Sequence, residues 1–335
     1  MPGPDRRTPV RRLRNLVASG VGRVRQASRG TPWAADWSNE VDPVGSLLEE
    51  SFIRRLENLN LQTRGVVAPG LVGEHRSRRY AISTEFADYR QYVPGDDFRR
   101  IDWNAFARTD GLFIRQTEAN EDLAVHLLLD CSQSMNWGMP NKLRFARRVA
   151  AAIGFLALAR FDAVSAITFA DALNGRFPLV RGKGQSMRLL TFLDEARVGG
   201  VTNLERVVAE FCNGRARSGI AFLISDLLSE DSWERAAVNL LGTGMDVVVV
   251  QIIAPQELHP AVDGEVELFD SETGDVVELV VGPEARRAYE QRMEEWCARV
   301  GDFCSRSEIG YLRLESDLTL EDIFLNRMRQ LRIVR

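Results

Sequence analysis

Between residues 122 and 316 the chain alternates strand-length apolar runs with helix-length amphipathic segments, and nothing else in it restricts the fold as much. "DLAVHLLLD" (122–130), "DAVSAITFAD" (162–171), "GIAFLISDL" (219–227) and "MDVVVVQIIA" (245–254) are almost continuously aliphatic. A strand open to water on one side alternates polar and apolar residues, so an unbroken run implies that both faces are covered. Helical periodicity fills the intervals at 141–160, 186–197, 203–215, 232–244 and 284–306. "GRFPLVRG" (175–182) reads as an edge strand, "GYLRLES" (310–316) as a last strand and "LEDIFLNRMRQL" (320–331) as a terminal helix. The pattern predicts an α/β fold, a mainly parallel sheet flanked by helices on both faces. It is interrupted once, at 264–282, by two alternating runs around a Gly-containing turn, which predict a hairpin.

The first third has a different texture. Residues 1–41 read as arm and linker, with eight arginines (Arg6, Arg7, Arg11, Arg12, Arg14, Arg23, Arg25, Arg29) against the single acid Asp5 in the first thirty positions. Residues 42–64 have helical spacing in Leu47, Leu48, Phe52, Ile53, Leu56, Leu59 and Leu61. From Gly65 to about Glu121, glycines, turns and short strand-like pieces suggest a small β-rich unit. The expected division is therefore an arm (1–41), a helix with a small β-rich unit (42–121), and a large α/β domain (122–335).

A net charge of −4 excludes a polyanion binder by charge alone, and no specific nucleic-acid contact is expected. The basic arm is the segment suited to an anionic surface. Cys131, Cys212, Cys297 and Cys304 are scattered, with no CxxC, as in a reduced intracellular protein. The longest apolar run, "VAAAIGFLALA" (149–159), is about half of the ~20 residues that a membrane span needs. A cytoplasmic protein, reaching the inner membrane only through a partner, is the expectation.

In an open parallel sheet, ligands bind at the carboxyl ends of strands. The first strand ends in Asp130, Ser132 and Ser134, the third in Ser225 and Asp226, and "GGVTNLE" between them offers Thr202. Alternation in DxSxS sets its three side chains on one side of an extended loop. Asp130, Ser132, Ser134, Thr202 and Asp226 all present oxygen, which favours a hard cation: Mg2+, or else Mn2+ or Ca2+. Two carboxylates among neutral hydroxyls leave such an ion short of negative charge. An Asp or Glu from another molecule would complete the shell. The same residues, with Asn203, also suit helix caps and turns.

DxSxS, the Thr202 loop and "ISD" together resemble the metal-ion-dependent adhesion site of von Willebrand factor type A domains. "EFADYRQYVPGDDFRRIDWNAFAR" (85–108), running on to "LLLDCSQSM", and "LFDSETGD" (268–275) resemble the bacterial family catalogued as domain-of-unknown-function 58. The resemblance covers roughly residues 45–335. It implies a von Willebrand factor A-like sheet with an extra N-terminal element, and a MoxR-type AAA+ ATPase as partner in a chaperone-like role. The chain departs from the family at "RRYAIS" (78–83), where glycines are common, and it lacks the membrane helices of many relatives.

The 85–108 motif concentrates Tyr92, Asp96, Asp97, Arg99, Asp102, Trp103 and Arg108. Turn chemistry and dense Asp/Arg pairing suit either a structural staple or a partner-binding surface. Three functional readings follow. The first is a non-enzymatic, Mg2+-dependent protein-interaction module, whose partner, the ATPase or its client, donates an acidic side chain. The second is a metal-dependent hydrolase using the same ion. The third is a metal-independent scaffold that binds through residues 85–108.

Overall fold

The computed structural model describes residues 21–26, 47–56, 86–92, 101–109, 111–117, 124–200, 202–214, 217–228, 233–262, 264–270 and 276–328. Its centre is the strand Ala124–Asp130 (β4), buried at every position. Val125, Leu127 and Leu129 enter one apolar cluster, and Leu128 enters another. The unbroken aliphatic run thus serves two cores at once, as the alternation of side chains along a strand requires.

Among the described residues three short strands precede it: Val21–Gln26 (β1), Phe86–Gln91 (β2) and Phe113–Thr117 (β3). After it come Ala163–Phe169 (β5), Leu173–Arg181 (β6), Ile220–Ser225 (β7), Asp246–Ile253 (β8), Gly264–Asp270 (β9), Val276–Val281 (β10) and Gly310–Glu315 (β11). The main sheet has six strands in the order β11-β8-β7-β4-β5-β6. All neighbours are parallel except β5 and β6, so β6 is the antiparallel edge expected from residues 175–182. Counted within this sheet, the order is 6-5-4-1-2-3, the doubly wound arrangement of a von Willebrand factor A-like fold, and its topological switch lies between β4 and β7.

Helices cover both faces. Glu50–Leu56 (α1), Lys142–Ala159 (α3) and Ser186–Asp194 (α4) contribute to the first cluster. Leu204–Asn213 (α5), Trp233–Gly242 (α6) and Pro283–Arg306 (α8) contribute to the second. The helix Pro255–Leu258 (α7) is a single turn after β8. The terminal helix expected at 320–331 is instead the turn Leu320–Asp322 continued by a π-helical segment, Ile323–Arg327. Among the described residues, no helix is long and apolar enough to cross a membrane.

Two features of the N-terminal third bear on the expected division. Helix α1 falls within the larger of two compact units, 1–69 with 123–335, and the smaller comprises 70–122. Phe52 packs edge-on against Phe324, and Arg148 Nε donates to the Leu47 carbonyl, which explains that membership. Nor is the arm featureless: β1 pairs antiparallel with β9, and β10 pairs with the other edge of β9, where the hairpin was expected. In the smaller unit β2 and β3 pair antiparallel, and the helix Trp103–Thr109 (α2) lies between them in sequence. Cys297 and Cys304 share α8, and all four cysteines are free.

Candidate metal centre

The site is built where β4 and β7 end side by side. Asp130 closes β4 and is fully buried. One carboxylate oxygen, Oδ1, accepts the Ser132 backbone N–H at 2.9 Å and turns the chain sharply. The other, Oδ2, accepts the Ser225 hydroxyl at 2.7 Å and the Thr202 hydroxyl at 3.4 Å. Ser132 Oγ and Ser134 Oγ lie 3.0 Å apart, in hydrogen-bond contact. Four of the five expected ligands, Asp130, Ser132, Ser134 and Thr202, are thus tied into hydrogen-bonded oxygen pairs in one buried region.

The loops around them are stitched together by backbone. Gly199 N donates to Cys131 O, Gln133 N to Gly200 O, and Asn203 N to Ala170 O. Gly200 sits at φ +73°, and a Cβ there would lie 2.8 Å from Asp171 Oδ1, so this turn needs glycine. Asn203 caps α5 by accepting the Arg206 backbone N–H. The capping and turn roles suggested by the sequence are therefore real, and they coexist with the oxygen set rather than replacing it.

Asp226 behaves differently. Its Oδ2 accepts from Lys142 Nζ at 2.8 Å and its Oδ1 from Leu228 N at 3.2 Å. Lys142, the first residue of α3, is fully buried and donates also to Glu257 Oε1 at 2.5 Å. The second oxygen of Glu257 accepts the Ala254 N–H at 2.8 Å. The Asp226 carbonyl accepts from Gln251 Nε2, and the Tyr311 hydroxyl donates to Gln251 Oε1 at 2.6 Å. Three carboxylates, Asp130, Asp226 and Glu257, stand against one ammonium. A buried excess of negative charge remains.

That excess is visible in the acidities. The Asp130 carboxyl is pushed up to about 6, first by burial and then by the nearby Asp226 charge, against the pull of its hydroxyl and N–H donors. Burial raises Glu257, partly offset by Lys142. Burial works against the Lys142 ammonium, yet the Asp226 and Glu257 charges raise it overall. A hard dication would relieve the strain on Asp130, and the carboxylate with three surrounding hydroxyls is the donor chemistry such an ion takes. Among the described residues no cluster of three His, Cys, Asp or Glu could hold a metal, so these hydroxyls are indispensable to that fit.

Sequence reasoning missed Lys142, Glu257 and the part played by Ser225. The available signal was Lys142 itself, one of two lysines among 43 basic residues, placed just after DxSxS. His126 is a core residue: its Nε2 donates to Arg217 O and its Nδ1 meets Ser165 Oγ, each at 2.7 Å.

Of the second motif, Asp96, Asp97 and Arg99 lie outside the described residues. Tyr92 N donates to Leu112 O. Asp102 caps α2, its Oδ1 accepting the Ala105 N–H at 3.0 Å. Trp103 is 61% exposed, packed edge-on against Phe106, and Arg108 is exposed. Trp103 is therefore not a core anchor of its unit.

The family model described as "Protein of unknown function DUF58" matches residues 88–298. The uncharacterized proteins Rv1480 of Mycobacterium tuberculosis and Mb1516 of Mycobacterium bovis are each 28% identical over 247 residues, 72% of this chain and 78% of theirs. Among solved structures, conserved hypothetical protein BatB from Bacteroides thetaiotaomicron aligns with 58% of this chain and 90% of its own, at 16% identity and TM-score 0.37.

Proposed function

The chain belongs to the DUF58 family, and we propose that it is a protein-interaction module whose contact is made through a Mg2+ ion. Asp130, Ser132, Ser134 and Thr202 would hold the ion, with Mn2+ or Ca2+ as substitutes. When bound, the ion offers a partner's Asp or Glu a ligand position. The partner is a MoxR-type AAA+ ATPase or its client, and the role is chaperone-like. The observation that carries this reading is the buried Asp130 carboxylate: it is served only by neutral donors, beside three hydroxyls, at the switch point of the sheet.

The chain's own residues supply a preformed but closed receptor. Ser134 and Thr202 are nearly buried. The Gln133–Gly200 backbone bond holds the DxSxS loop against the Thr202 loop. Affinity for the ATPase should be measured with Mg2+ and with EDTA, for the native chain and for Asp130→Ala. Binding is expected only for the native chain with Mg2+. Equal affinity in all four cases would overturn the reading.

A further inference from the structure

The two carboxylates that end β4 and β7 are not equivalent. The described donors to Asp130 are all neutral: the Ser132 backbone N–H and the hydroxyls of Ser225, Thr202 and Ser132. Asp226 has a full ammonium at 2.8 Å, and its other oxygen is held by a backbone N–H. Each carboxylate oxygen of Asp226 thus already holds a donor from within the fold, one of them charged.

The ammonium cannot easily leave. Lys142 opens α3, where its N–H donates to Trp137 O and the neighbouring Asn141 caps the helix through Arg144 N. Its side chain is fully buried. On the far side Glu257 fixes it at 2.5 Å, and Glu257 is itself fixed by Ala254 N–H. Moreover, α7, which carries Glu257, is tied to the loop after DxSxS: Gln256 Nε2 donates to Met139 O and Gln256 Oε1 accepts Met139 N. The lysine is held from both ends of the site.

We propose that Lys142 is a specificity-determining residue that withholds Asp226 from the cation, leaving the Asp130 site one carboxylate short. This inference rests on the metal reading above and deepens it. A dication beside Asp130 meets one carboxylate that carries no ammonium, while the second, Asp226, is ion-paired, so the chain alone holds it weakly. A partner's Asp or Glu then supplies the missing charge. In this way the lysine makes ion retention conditional on the partner.

The test is Mn2+ affinity of the free full-length chain, read by electron paramagnetic resonance, in four proteins: native, Asp130→Ala, Lys142→Met/Glu257→Gln, and that double variant with Asp226→Asn. The double variant removes one acid and one base and keeps the cluster's net charge; Asp226 is then the buried carboxylate without its ammonium, which the added Asp226→Asn change neutralises. Thermal melts establish that each protein is folded. The double variant is expected to bind Mn2+ about tenfold or more tighter than native, as for a freed carboxylate at short range. Adding Asp226→Asn should return affinity to the native level. If Asp130→Ala leaves native binding unchanged, the metal reading itself fails. If Asp130→Ala abolishes binding but the folded double variant matches the native chain, only the role of Lys142 fails. A single Lys142→Arg variant that stays folded and keeps native affinity supports the charge argument; tight binding there would overturn it.

Discussion

Ser225 Oγ donates to Asp130 Oδ2 at 2.7 Å, joining the tips of the two adjacent parallel strands between which the strand order switches. Both groups are fully buried, so the bond exchanges no partner with water. Ser225 Oγ also accepts the Leu227 N–H at 3.1 Å. Ser225→Ala therefore strips one donor from a buried carboxylate and one acceptor from a backbone amide. A loss of about 1–3 kcal/mol is expected by urea denaturation near neutral pH. The loss should shrink near pH 5, where Asp130 is largely protonated and the charge-assisted part of the bond is gone.

Asp130 also sets a pH dependence. Its folded value, about 6, lies above the ordinary carboxylate value of 3.8. For a raised acid, the stability contribution is complete below the unfolded value and lost as pH rises through the folded one. The loss thus develops between about pH 4 and somewhat above pH 6, and two units correspond to roughly 3 kcal/mol. Asp130→Asn should remove this component from the stability curve. A dication binds the ionised form and competes with the proton. Accordingly, the rise in Tm on adding Mg2+ should be larger near pH 7.5 than near pH 5, and absent in Asp130→Asn.

The sheet was legible because its strands are continuous aliphatic runs, and a covered sheet is what such runs require. The oxygen set was legible because strand tips are local features: DxSxS, "GGVTN" and "ISD" each announce themselves within a few residues. Lys142 was not legible in that way. Its partners lie 84 and 115 residues further on, and a lysine opening a helix ordinarily reads as a solvated residue. Asp226 reads in sequence as one more oxygen of the metal set, and the structure also ties its oxygens to an ammonium and an amide. The strand β1 was hidden for a related reason. "VGRVRQ" sits within an Arg-rich arm and acquires strand structure by pairing with β9, about 240 residues away. Helix α1 has clear periodicity, but periodicity does not say which unit the apolar face will cover.

Gly200 offers a way to perturb the site without touching a ligand. Its φ of +73° disfavours any side chain, and an added Cβ would press on Asp171 Oδ1 at 2.8 Å. Gly200→Ala should cost about 1–3 kcal/mol, the usual scale for such strain. Because Thr202 follows two residues later, the variant should also lose more Mg2+-induced stabilisation than a surface glycine such as Gly184, which has nothing within 4 Å of its Cβ position. Paired thermal melts with and without Mg2+ check both effects.

Trp103 separates the metal-dependent reading from a contact made by the 85–108 motif. The side chain is 61% exposed, and its described ring contact is with Phe106, itself 37% exposed. Removing an exposed ring of this kind ordinarily shifts stability by no more than about 0.5 kcal/mol, so Trp103→Ala should leave the melting curve near that of the native chain. Large exposed aromatics are nonetheless the side chains that most often anchor an interface. If the partner docks through the Asp130 centre alone, Trp103→Ala binds the ATPase as the native chain does, and EDTA abolishes both. If the motif makes the contact, Trp103→Ala loses binding while Mg2+-induced stabilisation is retained. Should both surfaces contribute, each single change weakens binding and only the combination of Trp103→Ala with EDTA abolishes it, a pattern that affinity measurements on the four conditions resolve directly.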